Sequence, residues 1–165
     1  ATILNGISDH PAHDSRGNDQ RIINIVIGCV DNNNARRTMN RYFASNTPYR
    51  QSWFWIDSGN ERKGGQVICG GKFDGNDNAQ YYLPTVTDLY PEILEASEDT
   101  ESQVSCAERL MQDEQNIFVN IDAATHVLNF IRKIVLAEEF QIHGVEFDIN
   151  GKVAARHLGN EGVAA

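Results

Sequence analysis

No apolar run in these 165 residues approaches the roughly eighteen needed to cross a bilayer, and the amino end lacks a basic segment followed by an apolar one. The expectation is a soluble cytoplasmic protein with no membrane partner. Positive charge is also short: 14 Lys and Arg face 23 Asp and Glu, a formal net charge of −9, and the basic residues form no stripe. Nucleic-acid affinity comes mostly from neutralising phosphates with Lys and Arg, so nucleic acid is not expected as a partner. The three cysteines, Cys29, Cys69 and Cys106, stand about forty residues apart without a Cys-x-x-Cys pair, which signals neither a disulfide framework nor a zinc site. The chain also lacks a Ser-His-Asp pattern, a P-loop, a Gly-x-Gly-x-x-Gly turn and any internal repeat. It begins with Ala1 rather than Met, and the expectation is that part of a longer domain precedes it.

What is present is an ordinary globular composition, 41% apolar and 22% charged, in a length that suits one domain with a real core. Residues 1–20 read as a strand-like start, Ala1 to Ile7, followed by loop chemistry rich in Asp, Asn, Gly and Pro. The apolar run Ile22 to Val30 predicts a buried strand, and residues 33–45 predict a helix directly after it. Short strands are expected at Ser52 to Ile56 and Gln66 to Cys69, and solvated loops at residues 72–80 and Glu92 to Glu101. Ile117, Ile121, Ala124, Leu128, Ile131 and Val135 recur in steps of four and three, which predicts a long helix with these residues on one face. Alternating residues on both sides of Asn150-Gly151 predict a closing β-hairpin, from Ile142 to Ile149 and from Lys152 to Leu158.

Strand followed at once by helix places Asp31 where ligands sit in an open α/β sheet, outside the carboxyl end of a strand. Asp31 is the leading site candidate, as a ligand for a magnesium ion bridging nucleotide phosphates. The bland alternative is a helix N-cap made by Asp31 or Asn32. Arg36 or Arg37, in the first turns of the helix, could give a bidentate contact to phosphate or carboxylate, or simply be solvated. Cys106 would be a reactive thiol if a helix begins there, and a small buried hydrophobe otherwise. Cys29 and Cys69 lie in apolar strands and read as buried. The five histidines are scattered, and His10 and His13 beside Pro11 read as surface residues.

In combination, Gly28-Cys29-Val30-Asp31-Asn32, Arg36, Asn40, Asp57-Ser58-Gly59-Asn60 and Gly65-Gln66-Val67 resemble the second half of a ThiF/MoeB/HesA domain. That is the adenylating fold of ubiquitin-like-protein activating enzymes. The run from Tyr82 to Glu92, Ser105-Cys106-Ala107-Glu108, Gln112 to Asn120 and His143-Gly144 narrow the likeness to the ThiF-family member of the PRTRC plasmid-associated system. The resemblance runs from about residue 21 to the end. It implies an α/β, Rossmann-like domain that lacks the glycine-rich half of the family fold and ends in a long helix and a β-hairpin. It implies ATP and Mg2+ as cofactors, no zinc, and adenylation of the C-terminal carboxylate of a small ubiquitin-like protein by a homodimer. Asp31 would meet the magnesium and triphosphate, Asn32 and Arg36 would arrange the same pocket, and Cys106 would stand where a thioester could form. The family's glycine-rich loop, ribose acid and phosphate-reaching Arg and Lys have no counterpart in residues 1–20. Catalysis by these residues alone is therefore expected to be weak or absent. The competing expectation is a non-catalytic module of the same fold that uses exposed strand edges and the acidic stretch near Glu98 to bind a partner.

Overall fold

The β-branched run Ile22–Gly28 forms strand β1, and the helix that follows, α1 at Asn33–Ser45, carries the chain back beside β2 at Gln51–Asn60. β1 and β2 are parallel, with Ile22 opposite Gln51 and Gly28 opposite Asp57. The three elements stand where the sequence predicts a strand, a helix and a strand, and their parallel pairing makes them a βαβ unit. The computed structural model of the chain describes residues 22–30, 32–45, 51–74, 80–95, 116–136 and 141–157. Within them the chain continues through β3 (Gly64–Asp74), β4 (Gln80–Leu83), a short helix α2 (Val86–Leu89), a 3-10 turn (Pro91–Leu94), α3 (Ile117–Val135), β5 (Ile142–Asp148) and β6 (Val153–His157).

The sheet runs β1-β2-β3-β5-β6, and every pair beyond β1 and β2 is antiparallel. β3 is long enough to take two neighbours on one edge. Gly64 to Ile68 pair with β5, and Gly71 to Asp74 pair with β4. β2 is buried on both faces because its residues alternate between two cores. Phe54 and Ile56 pack with α3, Val67, Cys69, Val145 and Phe147. Trp53 and Trp55 pack on the opposite face with Phe43 of α1, Ile68, Val86 and Ile93. The result is a mixed α/β domain with helices on both faces of a partly parallel sheet. No helix among the described residues is long and apolar enough to cross a membrane.

Several boundaries differ from the sequence reading. β2 runs through Asp57-Ser58-Gly59-Asn60 instead of ending before it, because these four residues pair with Gly65 to Ile68 of β3. Residues 72 to 74, read as loop, belong to β3, and Pro91 to Leu94, at the start of the acidic stretch, form a turn anchored by buried Ile93. β1 stops at Gly28, so Cys29 leaves the pleat and is exposed, whereas Cys69 is buried as expected.

In α3 the structure decides a choice that periodicity leaves open. The helix exists where predicted and is capped by the Asn116 side chain accepting from Phe118 N–H. Its buried residues, however, are Val119, Ala123, Val127, Phe130 and Ile134. The stripe picked out by the sequence spacing, with Ile117, Ile121, Leu128 and Val135, is the exposed one. Both stripes are apolar, and the buried one carries the aromatic ring, Phe130, that packs against β2 and β3.

The closing hairpin is present, but its connection is Ile149 to Lys152 rather than the two residues Asn150-Gly151. The Asp148 carboxylate accepts from the N–H groups of Asn150 and Lys152, which winds the turn around that side chain and lowers its pKa. Gly151 takes φ +83°, a conformation that glycine adopts without a Cβ penalty. Ile149 N–H also donates to the Lys63 carbonyl, tying this turn to the β2–β3 turn.

Candidate functional site

An open cleft of about 1230 Å3 wraps the end of the sheet where β1 and β2 finish. Val30, Asn33, Arg36, Ser58, Asn60 and Tyr90 are among the residues that line it. Its position follows from the topology: two parallel strands joined by a helix leave their carboxyl ends and the helix N-terminus at one edge. Asn32 supplies the N-cap of α1, its Oδ1 accepting from Ala35 N–H at 2.7 Å. Of the two cap candidates in the sequence, the structure therefore gives the role to Asn32. Asp31 and Cys106 lie outside the described residues.

Arg36 is the organising side chain. Its Nε donates to both carboxylate oxygens of Asp57, at 3.0 and 3.2 Å, and its Nη2 donates to the Val30 carbonyl at 2.8 Å. One guanidinium thus fastens the end of β2 to the turn that leaves β1. Asp57 is only 3% exposed, and burial lifts its carboxyl to about 6 despite the Arg36 charge beside it. Space for the carboxylate comes from Gly28, where a Cβ would lie 2.9 Å from Asp57 Oδ2. Desolvation, and after it the Asp57 charge, raises the Cys29 thiol as well, which argues against a thiolate there.

Arg37 points elsewhere, donating to the carbonyls of Ile93 and Glu95 and so holding the 3-10 turn against α1. The two arginines, indistinguishable in the sequence, thus separate into one at the cleft and one in a strap. The strap itself is built by a capping box. At the N-terminus of α2 Thr85 N–H and Oγ1 both donate to Asp88 Oδ2 at 2.6 Å, Tyr82 donates to Asp88, and Thr87 Oγ1 donates to Asn40 Oδ1 at 2.9 Å. Asn40 therefore docks the strap.

On the sheet, polar residues line the cleft in two groups. Ser58 donates to Asn60, whose amide donates to Asn120 Oδ1 of α3 at 2.8 Å. On the other face Tyr90 donates to Gln66 Oε1 at 2.9 Å, and Arg156 reaches Tyr90 and Glu146 at 3.5 and 3.4 Å. His143 is buried, and its Nδ1 has no hydrogen-bond partner among the described residues. Burial, followed by the Arg156 charge, lowers its pKa, so the ring is neutral near pH 7.

No family model, curated protein or solved structure matches this chain. The site must be read from its own chemistry.

Sequence reasoning did not single out Asp57 as a site residue. The available signal was an acid directly following Trp53-Phe54-Trp55-Ile56, where a buried strand would carry it into the interior. Tyr90 and Asn120 carry no local signal, because each is brought to the cleft by tertiary packing. Among the described residues no group of three or more His, Cys, Asp or Glu side chains could hold a metal ion. Asp57, the buried carboxylate of β2, is already committed to Arg36.

Proposed function

We propose that the cleft binds a nucleoside triphosphate, and that the chain carries the acid-bearing half of a ThiF/MoeB-type adenylating fold. The observation that carries this reading is the Arg36 clamp on Val30 and Asp57, which fixes the turn immediately before Asp31 and Asn32 at the carboxyl end of β1. A site for phosphate chemistry needs its charged groups held in place before the ligand arrives, because pre-organised electrostatics is where such sites gain most. Asn32 caps α1, so the first-turn N–H groups of α1 and the cleft lie at the same strand end.

In this reading the substrate is the C-terminal carboxylate of a small ubiquitin-like protein, joined to AMP with release of pyrophosphate. The described residues do not by themselves make a magnesium site, since Asp57 is engaged. Magnesium therefore enters only with the nucleotide's phosphates and Asp31, where it would supply charge neutralisation. Arg36 orients the turn, and Ser58 and Asn60 at the end of β2, with Asn120 of α3, give neutral hydrogen-bonding groups beside it. With no glycine-rich phosphate loop in the sequence, these residues bind and orient, and turnover is expected to be slow or absent.

The test is calorimetry with ATP and magnesium on the 165-residue chain and on Asp31→Ala. Binding in the range of about 0.1 to 1 mM, abolished by Asp31→Ala, supports the reading. Absence of binding by the unaltered chain, or undiminished binding by Asp31→Ala, overturns it. A second reading, a non-catalytic assembly module, is favoured by one specific observation: the apolar stripe of α3 left exposed.

A further inference from the structure

We infer that an oxyanion of the ligand takes the Arg36 guanidinium, and that the Asp57 carboxylate it displaces is received by the indole N–H of Trp55. Asp57 and Trp55 are then positioning residues of the cleft. The inference rests on that part of the nucleotide reading which brings an anion into the cleft, and it needs neither Asp31 nor magnesium.

Arg36 holds Asp57 less firmly than the burial of the pair suggests. Only Nε faces the carboxylate, one N–H shared between Oδ1 at 3.0 Å and Oδ2 at 3.2 Å, whereas the strong arginine–carboxylate arrangement uses two parallel N–H bonds. Nη2 donates to the Val30 carbonyl, and Nη1 makes no hydrogen bond among the described residues. Donors are therefore left over. The side chain is 13% exposed and lines the cleft. Gly59 keeps the approach clear, since a Cβ there would stand 3.5 Å from Nη2.

The recipient of the displaced carboxylate is set by β2 itself. Trp55 and Asp57 are two residues apart in one strand, so their side chains share a face. Trp55 is 1% exposed, and its Nε1 has no hydrogen-bond partner among the described residues. A buried donor left unpaired carries the cost of its lost hydration. Both groups meet over Gly28, where a Cβ would lie 3.0 Å from Trp55 Nε1 and 2.9 Å from Asp57 Oδ2. Glycine puts no side chain between them. An oxyanion on Arg36 would set a second negative charge beside Asp57, and like charges repel. Turning to Trp55 exchanges the shared Nε bond for an indole bond and satisfies the unpaired donor. The two positions of the carboxylate are thus close in energy, as a ligand-driven change requires. Arg36 keeps its bond to Val30 throughout, so the turn after β1 passes from being fastened to β2 to being fastened to the ligand.

The test reads the indole N–H signals of the 165-residue chain by 1H–15N NMR, in separate titrations with inorganic pyrophosphate and with acetate. The chain has two tryptophans, and Trp53→Phe assigns their two signals. The expected result is a saturable downfield shift of the Trp55 signal while that of Trp53 stays in place. Whichever anion acts names the ligand class, phosphoryl or carboxylate. Arg36→Gln should weaken binding of that anion about tenfold or more. Asp57→Ala should still bind it and no longer show the shift. The inference is overturned if neither anion binds, if binding leaves the Trp55 signal unmoved, or if the shift persists in Asp57→Ala and so reports the anion's own field. ATP and magnesium bound without a Trp55 shift overturn this inference and leave the nucleotide reading standing. A Trp55 shift with pyrophosphate in a chain that does not bind ATP has the opposite meaning.

Discussion

Asp57 and Arg36 form a buried pair in which desolvation outweighs attraction for the carboxyl. An acid whose pKa is raised from 3.8 to about 6 on folding binds its proton more tightly in the folded state. Its contribution to stability is therefore fully present below about pH 3.8 and is lost as pH rises through about 6. The shift corresponds to about 3 kcal/mol. Urea unfolding of the chain and of Asp57→Asn between pH 4 and 7.5 isolates it, because other groups, His143 included, cancel in the difference. The expected outcome is a wild-type minus variant stability that falls by about 2.5 kcal/mol across this range; a flat difference would mean that burial does not govern Asp57. How legible such residues are depends on what sets their environment. Asn32 as a cap could be read locally, since it follows from a helix starting at a strand end, whereas Arg36 could not be told from Arg37, because which of them meets Asp57 depends on a strand found later in the chain. The burial of Asp57 could not, because it requires knowing that Gly28 lies opposite and that α1 covers that face. Cys29 was misread for a related reason: the apolar run continues to Val30, but β1 ends two residues earlier.

At the scale of elements, α3 separates what periodicity can and cannot decide. A helix over Ile117–Val135 follows from either of its two apolar stripes, so its existence was legible. Which stripe is buried was not, because hydrophobic spacing measures amphipathicity and carries no information on which face meets the sheet. Phe130 settles it in three dimensions, filling the space over β2 and β3 with Phe54, Ile56 and Val67. Phe130→Ala is expected to cost about 3 to 5 kcal/mol through lost burial and the cavity left behind. Leu128→Ala, two residues away and 64% exposed, should change monomer stability by less than about 0.5 kcal/mol. Chemical denaturation at a protein concentration low enough to exclude association checks both, and equal losses at the two positions would mean that the helix is rotated from the placement described. The strand ends show the same division. β-branched and aromatic runs announced β1, β2 and the closing hairpin, whereas the extension of β2 to Asn60 and of β3 to Asp74 depends on partners found elsewhere in the chain.

At the scale of the molecule, β3 is the hub. It pairs with β2 along one edge and with both β4 and β5 along the other, and with β2 it carries residues of both cores. Among the described residues β6 pairs only with β5, and it is exposed at Val153, Ala154, Ala155 and His157. Backbone amides open at a cost set by how much packed structure must come apart with them. Amide exchange is therefore expected to be slowest in Trp55–Asp57 and Val67–Cys69, near the limit of global unfolding. It should be at least about a hundredfold faster in Val153–His157, where only the closing hairpin need open. This gradient bears on function because it divides the cleft. The Arg36–Asp57 pair stands on rigid β2, while Glu146, Lys152 and Ala154 on the opposite wall belong to the hairpin. A ligand that spans the cleft must then slow exchange in β6 and leave β2 nearly unchanged, since β2 is already at its ceiling. Hydrogen exchange followed by mass spectrometry, with and without magnesium and ATP, reads both quantities in one experiment. Protection of β6 equal to that of β3 in the free chain would mean that the sheet opens as one unit, and the hairpin could not then act as the adjustable wall of the site.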